Sequence, residues 1–236
     1  MKLFYCVIYI LLQSCYSYAQ AGYGFEAGIG MSTLRFAPDA GFTKAAKFPI
    51  PSGKIGGIFD IGINKHVYFQ TGICFSAKGQ KRTFSFYLSD SLNEAAEQTL
   101  RLYYFDLPVM LCFKAKIQGK GRLMAGAGAA FSYLAGGTNH LKSTGKYNGS
   151  PYNTVIDEKA APGKPLNAFD LGLNVFAGYE LPTGLFFRIY YTAGVNDLGQ
   201  GSEIDKNRMW GIAAGYIFGK GKNINKEKDE LIDKGE

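Results

Sequence analysis

The chain has 236 residues, enough for one domain of ordinary size, with 31 glycines, 15% aromatic and only 19% charged residues. Such a composition favours strands over surface helices. No apolar run reaches the roughly 18 residues of a transmembrane helix, and the one at the N-terminus is shorter. The formal charge of +7 is scattered, without a basic stripe interleaved with aromatics, so we expect acidic lipid headgroups or surface polysaccharide and no nucleic acid as partners.

The first residues have the parts of a secretory signal. Lys2 is the charged start, an apolar segment follows, and Ser17, Tyr18 and Ala19 form a small-x-small cleavage site. We therefore predict a signal peptide over residues 1–19. Lipidation of the same segment is the alternative.

Eight later segments alternate apolar residues with small or polar ones at a period of two, which predicts β-strands. In chain order they are residues 22–34, 54–64, 67–79, 99–117, 122–135, 169–181, 185–196 and 207–219. They exceed the five or six residues usual in soluble sheets and match the nine to eleven of a tilted bilayer-spanning strand. Pro108, in the fourth strand, cannot donate to a sheet ladder, so we expect a bulge there.

The connections alternate in length as strictly as the residues do. Three are short turns, and four are long polar segments at residues 36–53, 80–98, 136–167 and 199–206. Short turns on one side and long loops on the other predict an eight-stranded antiparallel transmembrane β-barrel with short periplasmic turns and long outer loops. Both termini would be periplasmic, with the barrel over residues 20–219 and a charged, net neutral periplasmic tail over residues 220–236.

Alternation alone does not say which face is inside. A soluble, periplasmic, lipocalin-like barrel, which would bind a ligand, also has eight strands and would place its apolar face in the cavity. Two observations favour the membrane barrel. The less apolar face of the strands is mostly glycine, and aromatic residues gather near both ends of the strands, as in the girdles of membrane barrels.

The predicted inward face carries several ionisable residues. They are Glu26, Asp60, Asp106, Lys114, Asp170, Glu180 and Arg188. An eight-stranded barrel has room inside for little more than side chains, and buried charges must be paired, so we interpret them as a structural network. Glu180 and Arg188 flank one tight turn and are expected to meet across it. A proton path or small-ligand site is the alternative.

Two cysteines, Cys74 and Cys112, remain after removal of the signal peptide. They lie on successive predicted strands, both on the inward face, in an oxidising compartment. A disulfide between them is therefore one hypothesis, and two free buried thiols are the other. No metal or cofactor site is predicted. Catalysis finds support only in His140, Ser143 and Asp157, which share one predicted loop, and we expect the protein not to be an enzyme.

The stretch Tyr104-Phe105-Asp106-Leu107-Pro108 and the final strand ending Gly215-Tyr216-Ile217-Phe218 carry a resemblance. Together with the eight-stranded plan, they resemble the PorT-like outer-membrane β-barrel domains of Gram-negative bacteria. The resemblance implies an outer-membrane location and, as one possible role, a place in a protein-secretion apparatus with other envelope proteins as partners. The residues themselves favour a non-enzymatic protein that binds surfaces or partners through its loops or rim.

Overall fold

The structure is a computed structural model that describes residues 20–35, 44–89, 92–117, 121–147, 150–163, 166–199 and 206–219. The predicted signal peptide, the tail and parts of the predicted loops lie outside these ranges. The strands are β1 (Gln20–Arg35), β2 (Lys44–Gly62), β3 (Val67–Ser89), β4 (Leu92–Ile117), β5 (Gly121–Tyr147), β6 (Ser150–Ala160), β7 (Phe169–Glu180), β8 (Leu185–Gly194) and β9 (Lys206–Gly219). No helix in the described ranges has the length and apolar character needed to cross a membrane.

Eight of these nine strands close into a ring. Going round it, β1, β2, β3, β4, β5, β7, β8 and β9 pair with their neighbours, and β9 pairs back with β1. Every pairing is antiparallel. The predicted eight-stranded antiparallel barrel is therefore confirmed. The extra strand, β6, pairs with the last part of β5 outside the ring.

Large apolar side chains point away from the ring. Ile29, Ile73 and Phe169 are 66–70% exposed, whereas inward-facing charged residues such as Lys114 and Glu180 are almost fully buried. A lipocalin-like barrel has the opposite arrangement, with apolar side chains lining its cavity, so that alternative is wrong. An apolar exterior around a closed sheet is what a bilayer requires of a spanning strand.

The strands β2 to β5 are longer than the sequence predicts, and β6 falls in a predicted loop. The predicted loops 80–98 and 136–167 consist largely of β3, β4, β5 and β6. Residues 44–49, 80–89, 92–101, 137–147 and 150–160 continue β2 to β6 past the ring as a five-stranded antiparallel sheet. We call this part the projecting sheet, its end of the barrel the extension end, and the opposite end, where the short turns at residues 63–66 and 181–184 lie, the turn end.

The bulge expected at Pro108 is absent. Pro108 pairs with Ala130 in an unbroken β4–β5 register, and its carbonyl accepts a hydrogen bond from the Thr71 hydroxyl at 2.8 Å. One missing amide hydrogen interrupts a ladder bond without adding a residue, so the register holds on both sides. The register instead shifts where Tyr103 pairs with Gly136 and Tyr104 with Leu134, which leaves Ala135 as the extra residue.

Candidate functional site: the lumen network and the projecting sheet

In the part of the chain that the structure describes, ten charged side chains fill the inside of the ring. The seven predicted inward-facing residues, two cations and five acids, are joined there by Lys54, Lys78 and Arg122, which gives five cations and five acids. We call this set the lumen network. Its charges balance, which is what a narrow, largely dry interior requires.

At the turn end, Lys114 is the centre of the network. Its ammonium lies 2.5 Å from an Asp60 carboxylate oxygen and 2.9 Å from one of Glu180, and its side chain is fully buried. The second carboxylate oxygen of Glu180 accepts a hydrogen bond from Arg122, which also donates to the Tyr68 hydroxyl at 3.0 Å. Lys114 also lies over the Tyr68 ring, 4.5 Å from its centroid.

Deeper in the lumen, Arg188 crosses the barrel to Glu26. Its guanidinium donates to a Glu26 carboxylate oxygen and, at 2.7 Å, to the Gln70 side-chain carbonyl. Lys54 reaches the other Glu26 oxygen at 2.9 Å. The predicted pair of Glu180 with Arg188 is wrong, since Arg188 lies opposite Gly178 in the hairpin and projects across the lumen rather than along its own sheet.

A second group of charges lies toward the extension end. Lys78 is 3.1 Å from an Asp106 carboxylate oxygen, and the other Asp106 oxygen accepts from the Ser76 hydroxyl at 2.6 Å. Asp170 forms no ion pair with a described cation and accepts instead from the Asn207 side-chain amide at 2.7 Å. This group is therefore held partly by neutral hydrogen bonds rather than by ion pairs alone.

An apolar cluster lies beyond this second group, at the extension end of the lumen. Its fully or almost fully buried members are Leu34, Leu102, Tyr104, Leu134 and Leu198. Leu198 comes from the segment that follows β8, so a connecting segment as well as the strands contributes to the cluster. Paired charges and packed apolar side chains together occupy the interior of a ring this small.

The two cysteines are free and buried. The alternative of a disulfide between Cys74 and Cys112 is contradicted by their positions in the β3–β4 register, where Cys74 lies opposite Asp106 and Cys112 lies opposite Tyr68. Six residues along a strand separate the two levels, which is roughly 20 Å at the usual rise per residue. A disulfide needs Cα atoms within about 7 Å of each other.

The three residues considered for catalysis do not converge. An Asp157 carboxylate oxygen lies 2.5 Å from His140 Nδ1 on an exposed face of the projecting sheet. Ser143 is an odd number of residues from His140 along β5 and therefore lies on the opposite face. Within the part of the chain that the structure describes, no group of three or more His, Cys, Asp and Glu is arranged to hold a metal ion.

A comparison with protein families decides the assignment. The sequence profile of the outer membrane protein beta-barrel domain matches residues 17–200. The chain belongs to this family. This outer-membrane barrel therefore spans the Gram-negative outer membrane with the eight strands of its ring, and its apolar exterior contacts lipid. No curated protein sequence matches it.

Solved structures resemble the outer-membrane barrel in fold at very low identity. The attachment invasion locus protein Ail of Yersinia pestis is 13% identical, with 84% of this chain and 99% of that chain covered and a TM-score of 0.35. Neisserial surface protein A is 10% identical, with 83% and 97% covered and a TM-score of 0.38. OprG from Pseudomonas aeruginosa is 10% identical, with 86% and 98% covered and a TM-score of 0.39.

Outward-facing aromatic side chains of the barrel gather at both ends of the lipid-facing surface. At the turn end the rings of Tyr23 and Phe218 stack at 5.5 Å between centroids. At the extension end the rings of Tyr133 and Phe169 meet edge to face at 5.3 Å. Such bands are typical of the two membrane–water interfaces of outer-membrane barrels, and they separate the spanning part from the projecting sheet.

Proposed function

We propose that the projecting sheet faces the outside of the cell and that both chain termini are periplasmic, after removal of residues 1–19 as a signal peptide. The support is the asymmetry of the barrel, because outer-membrane barrels place short turns in the periplasm and long connections outside. Residues 220–236 would then form a charged periplasmic tail.

A labelling experiment tests this orientation. A cysteine introduced by Asn153→Cys, on exposed β6, is expected to react with a membrane-impermeant maleimide in intact cells. The matched Lys65→Cys variant, in an exposed turn of the other end, is expected to react only after the outer membrane is opened. Because Cys74 and Cys112 are buried, the parent protein is expected to stay unlabelled. If only Lys65→Cys is labelled in intact cells, the turn end faces the outside of the cell and the proposed orientation is wrong.

We propose that the protein acts without catalysis, by binding a partner through the projecting sheet. The observation that carries the proposal is the position of β6, which ends the sheet order and, among the described residues, pairs with β5 alone. Its other edge pairs with no described strand, and an exposed strand edge is the arrangement that lets an added strand bind by main-chain hydrogen bonds.

β6 is exposed over most of its length. Nine of its eleven residues are exposed, and Val155 and Ile156 add apolar surface on its two faces. Single-sided pairing together with adjacent apolar side chains favours an extended peptide segment of another protein as the partner. Without a specific partner, exposed backbone groups on such an edge would promote unspecific association with other strands.

The direction of the β6 amides can be inferred from Pro151. This residue has no amide hydrogen and pairs with Lys146, so it fits a ladder position that does not bond to β5. Val155 lies four residues further along β6 and shares that parity. Its amide hydrogen therefore points to the free edge, away from β5.

Val155→Pro is accordingly expected to abolish partner binding without unfolding the barrel. The measurement uses a photo-cross-linking side chain at residue 153 of the protein displayed on cells. An adduct with the partner should form in the parent and in Val155→Thr, which keeps the amide hydrogen. The adduct should be lost in Val155→Pro. A heat-dependent mobility shift in SDS electrophoresis reports that each variant is folded. An adduct that persists in Val155→Pro would contradict binding along this edge.

A role as a component of a protein-secretion apparatus is the second candidate, and it rests on the resemblance to PorT-like domains. In the stretch that carries the resemblance, Phe105 and Leu107 face outward and are about half exposed, which leaves them open to a partner inside the membrane. Co-purification of other envelope proteins that depends on these two side chains, and not on β6, would favour this candidate.

A further inference from the structure

Three cations form a patch on the outward face of the barrel at the extension end. Arg35 of β1 lies directly opposite Lys206 of β9, and Arg208 is the next residue of β9 with the same orientation. Opposite side chains in an antiparallel pair have Cβ atoms about 5 Å apart, and diagonal neighbours are about 7–8 Å apart. The three charges therefore share one small surface, which we call the cationic patch.

The cationic patch is not neutralised by the described part of the protein. Lys206 is 3.9 Å from an Asp197 carboxylate oxygen, at the limit of an ion pair. Arg35 and Arg208 have no carboxylate of a described residue within that distance. Like charges directly opposite each other destabilise a strand pair, so this arrangement favours an anion between them.

An apolar groove begins next to the cationic patch and follows the lipid-facing wall of the barrel. Trp210, two residues from Arg208 on β9, lines a depression of about 590 Å³ together with Ala177, Ile189 and Ile212. The same three residues line a second depression of about 760 Å³ that continues toward the turn end. Its lining includes several small residues, Ala27, Gly28, Gly178, Ala213 and Ala214.

The two features are aligned along one strand. From Trp210 to Ala214 the outward residues of β9 extend roughly 13 Å along the groove, and Arg208 lies roughly 7 Å beyond its end at the usual rise per residue. Trp210 marks the boundary, since Trp is enriched where a membrane meets water. An occupant must therefore be apolar over the length of the groove and anionic just past the interface.

We propose that this wall binds one phosphorylated lipid, with its phosphate on Arg35, Lys206 and Arg208 and an acyl chain in the groove. Guanidinium groups bind phosphate in a bidentate way, and two of the three cations are arginines. The assignment of this lipid to the outer leaflet rests on the orientation proposed above. Binding in detergent solution does not depend on that orientation, nor on β6.

Native mass spectrometry of the detergent-purified protein tests the site. The probe is the phosphorylated glycolipid lipid A, compared with the same glycolipid after chemical removal of its phosphates. The triple variant Arg35→Gln, Lys206→Gln, Arg208→Gln is expected to bind the phosphorylated form at least tenfold more weakly. The control variant Lys142→Gln, Lys146→Gln, Lys159→Gln removes the same charge from the projecting sheet and is expected to bind as the parent does.

A second pair of variants tests the groove. Ala177→Phe places a ring in it and is expected to weaken binding of both forms of the glycolipid, whereas Ala77→Phe, on an outward face of β3, should not. All variants are checked for folding by their heat-dependent mobility shift. Equal binding of the phosphorylated and dephosphorylated lipids by the parent, or unweakened binding by the triple variant, would overturn the proposal.

Discussion

Replacing Lys114 by Met is expected to lower the free energy of unfolding by about 3–5 kcal/mol, the range seen when one partner of a buried ion pair is removed. The substitution leaves the carboxylates of Asp60 and Glu180 buried, and Asp60 then has no cation of the lumen network within ion-pair distance. The measurement is equilibrium denaturation in lipid bilayers, followed by the fluorescence of Trp210, the single tryptophan.

Lys116→Met is the matched control for this prediction. Lys116 lies two residues further along β4 but is exposed at the turn end, so its loss is expected to change the free energy of unfolding by less than 0.5 kcal/mol, as is usual for surface positions. A double variant, Lys114→Met with Asp60→Asn, should recover part of the loss, because it also removes the carboxylate that Lys114→Met leaves without a cation, whereas Glu180 keeps Arg122. Equal stability of Lys114→Met and Lys116→Met would show that the lumen charges are not coupled as the distances indicate.

Ile73→Lys is expected to lower the free energy of unfolding in a bilayer by about 2–4 kcal/mol, as for a lysine near the midplane of a lipid-facing strand. Ile73 points outward from the part of β3 that forms the ring and is 66% exposed. In lipid, the ammonium group of a lysine at this position must either lose its bound water or bring water into the membrane. The measurement is the same denaturation experiment, repeated at two bilayer thicknesses, since a thicker bilayer should enlarge the effect.

Val155→Lys provides the comparison for Ile73→Lys. Val155 is also a largely exposed apolar residue, at 52% against 66% for Ile73, but it lies on the projecting sheet. Its replacement by lysine is expected to leave stability within 0.5 kcal/mol of the parent, because water surrounds it. If both lysines have the same effect, the border between the spanning part and the projecting sheet lies elsewhere.

The part of the fold inside the bilayer is predictable from sequence because lipid imposes a strict rule on every second residue. Phe169, Leu171 and Leu173 face lipid, so the residues between them must face the lumen, and the alternation shows both the strand and its orientation. The projecting sheet has water on its faces, and no such rule applies there. Its strands, β6 above all, therefore look like polar loops in the sequence.

The lumen network was predictable in membership but not in pairing. Lys54 and Lys78 lie at the border of predicted strands, where the alternation fades, so no pattern assigned them to the inside. Partner choice depends on distances across the ring, as in the contact of Arg188 with Glu26 rather than with its neighbour in the hairpin, Glu180. The sequence of a strand predicts whether a side chain points inward or outward. It does not predict which side chain lies opposite it across the lumen.

The contact between Arg188 and Glu26 has a consequence for the order of assembly. The two residues are 162 positions apart, on β8 and β1, and they come together across β9, the strand that seals the ring. Until β9 has paired with β1, Arg188 cannot reach Glu26, whose other oxygen already contacts Lys54 of β2, and a half-made sheet would expose an unmatched guanidinium to the membrane. Charge neutralisation thus arrives at the last step, which favours all-or-none closure over stepwise insertion of single hairpins.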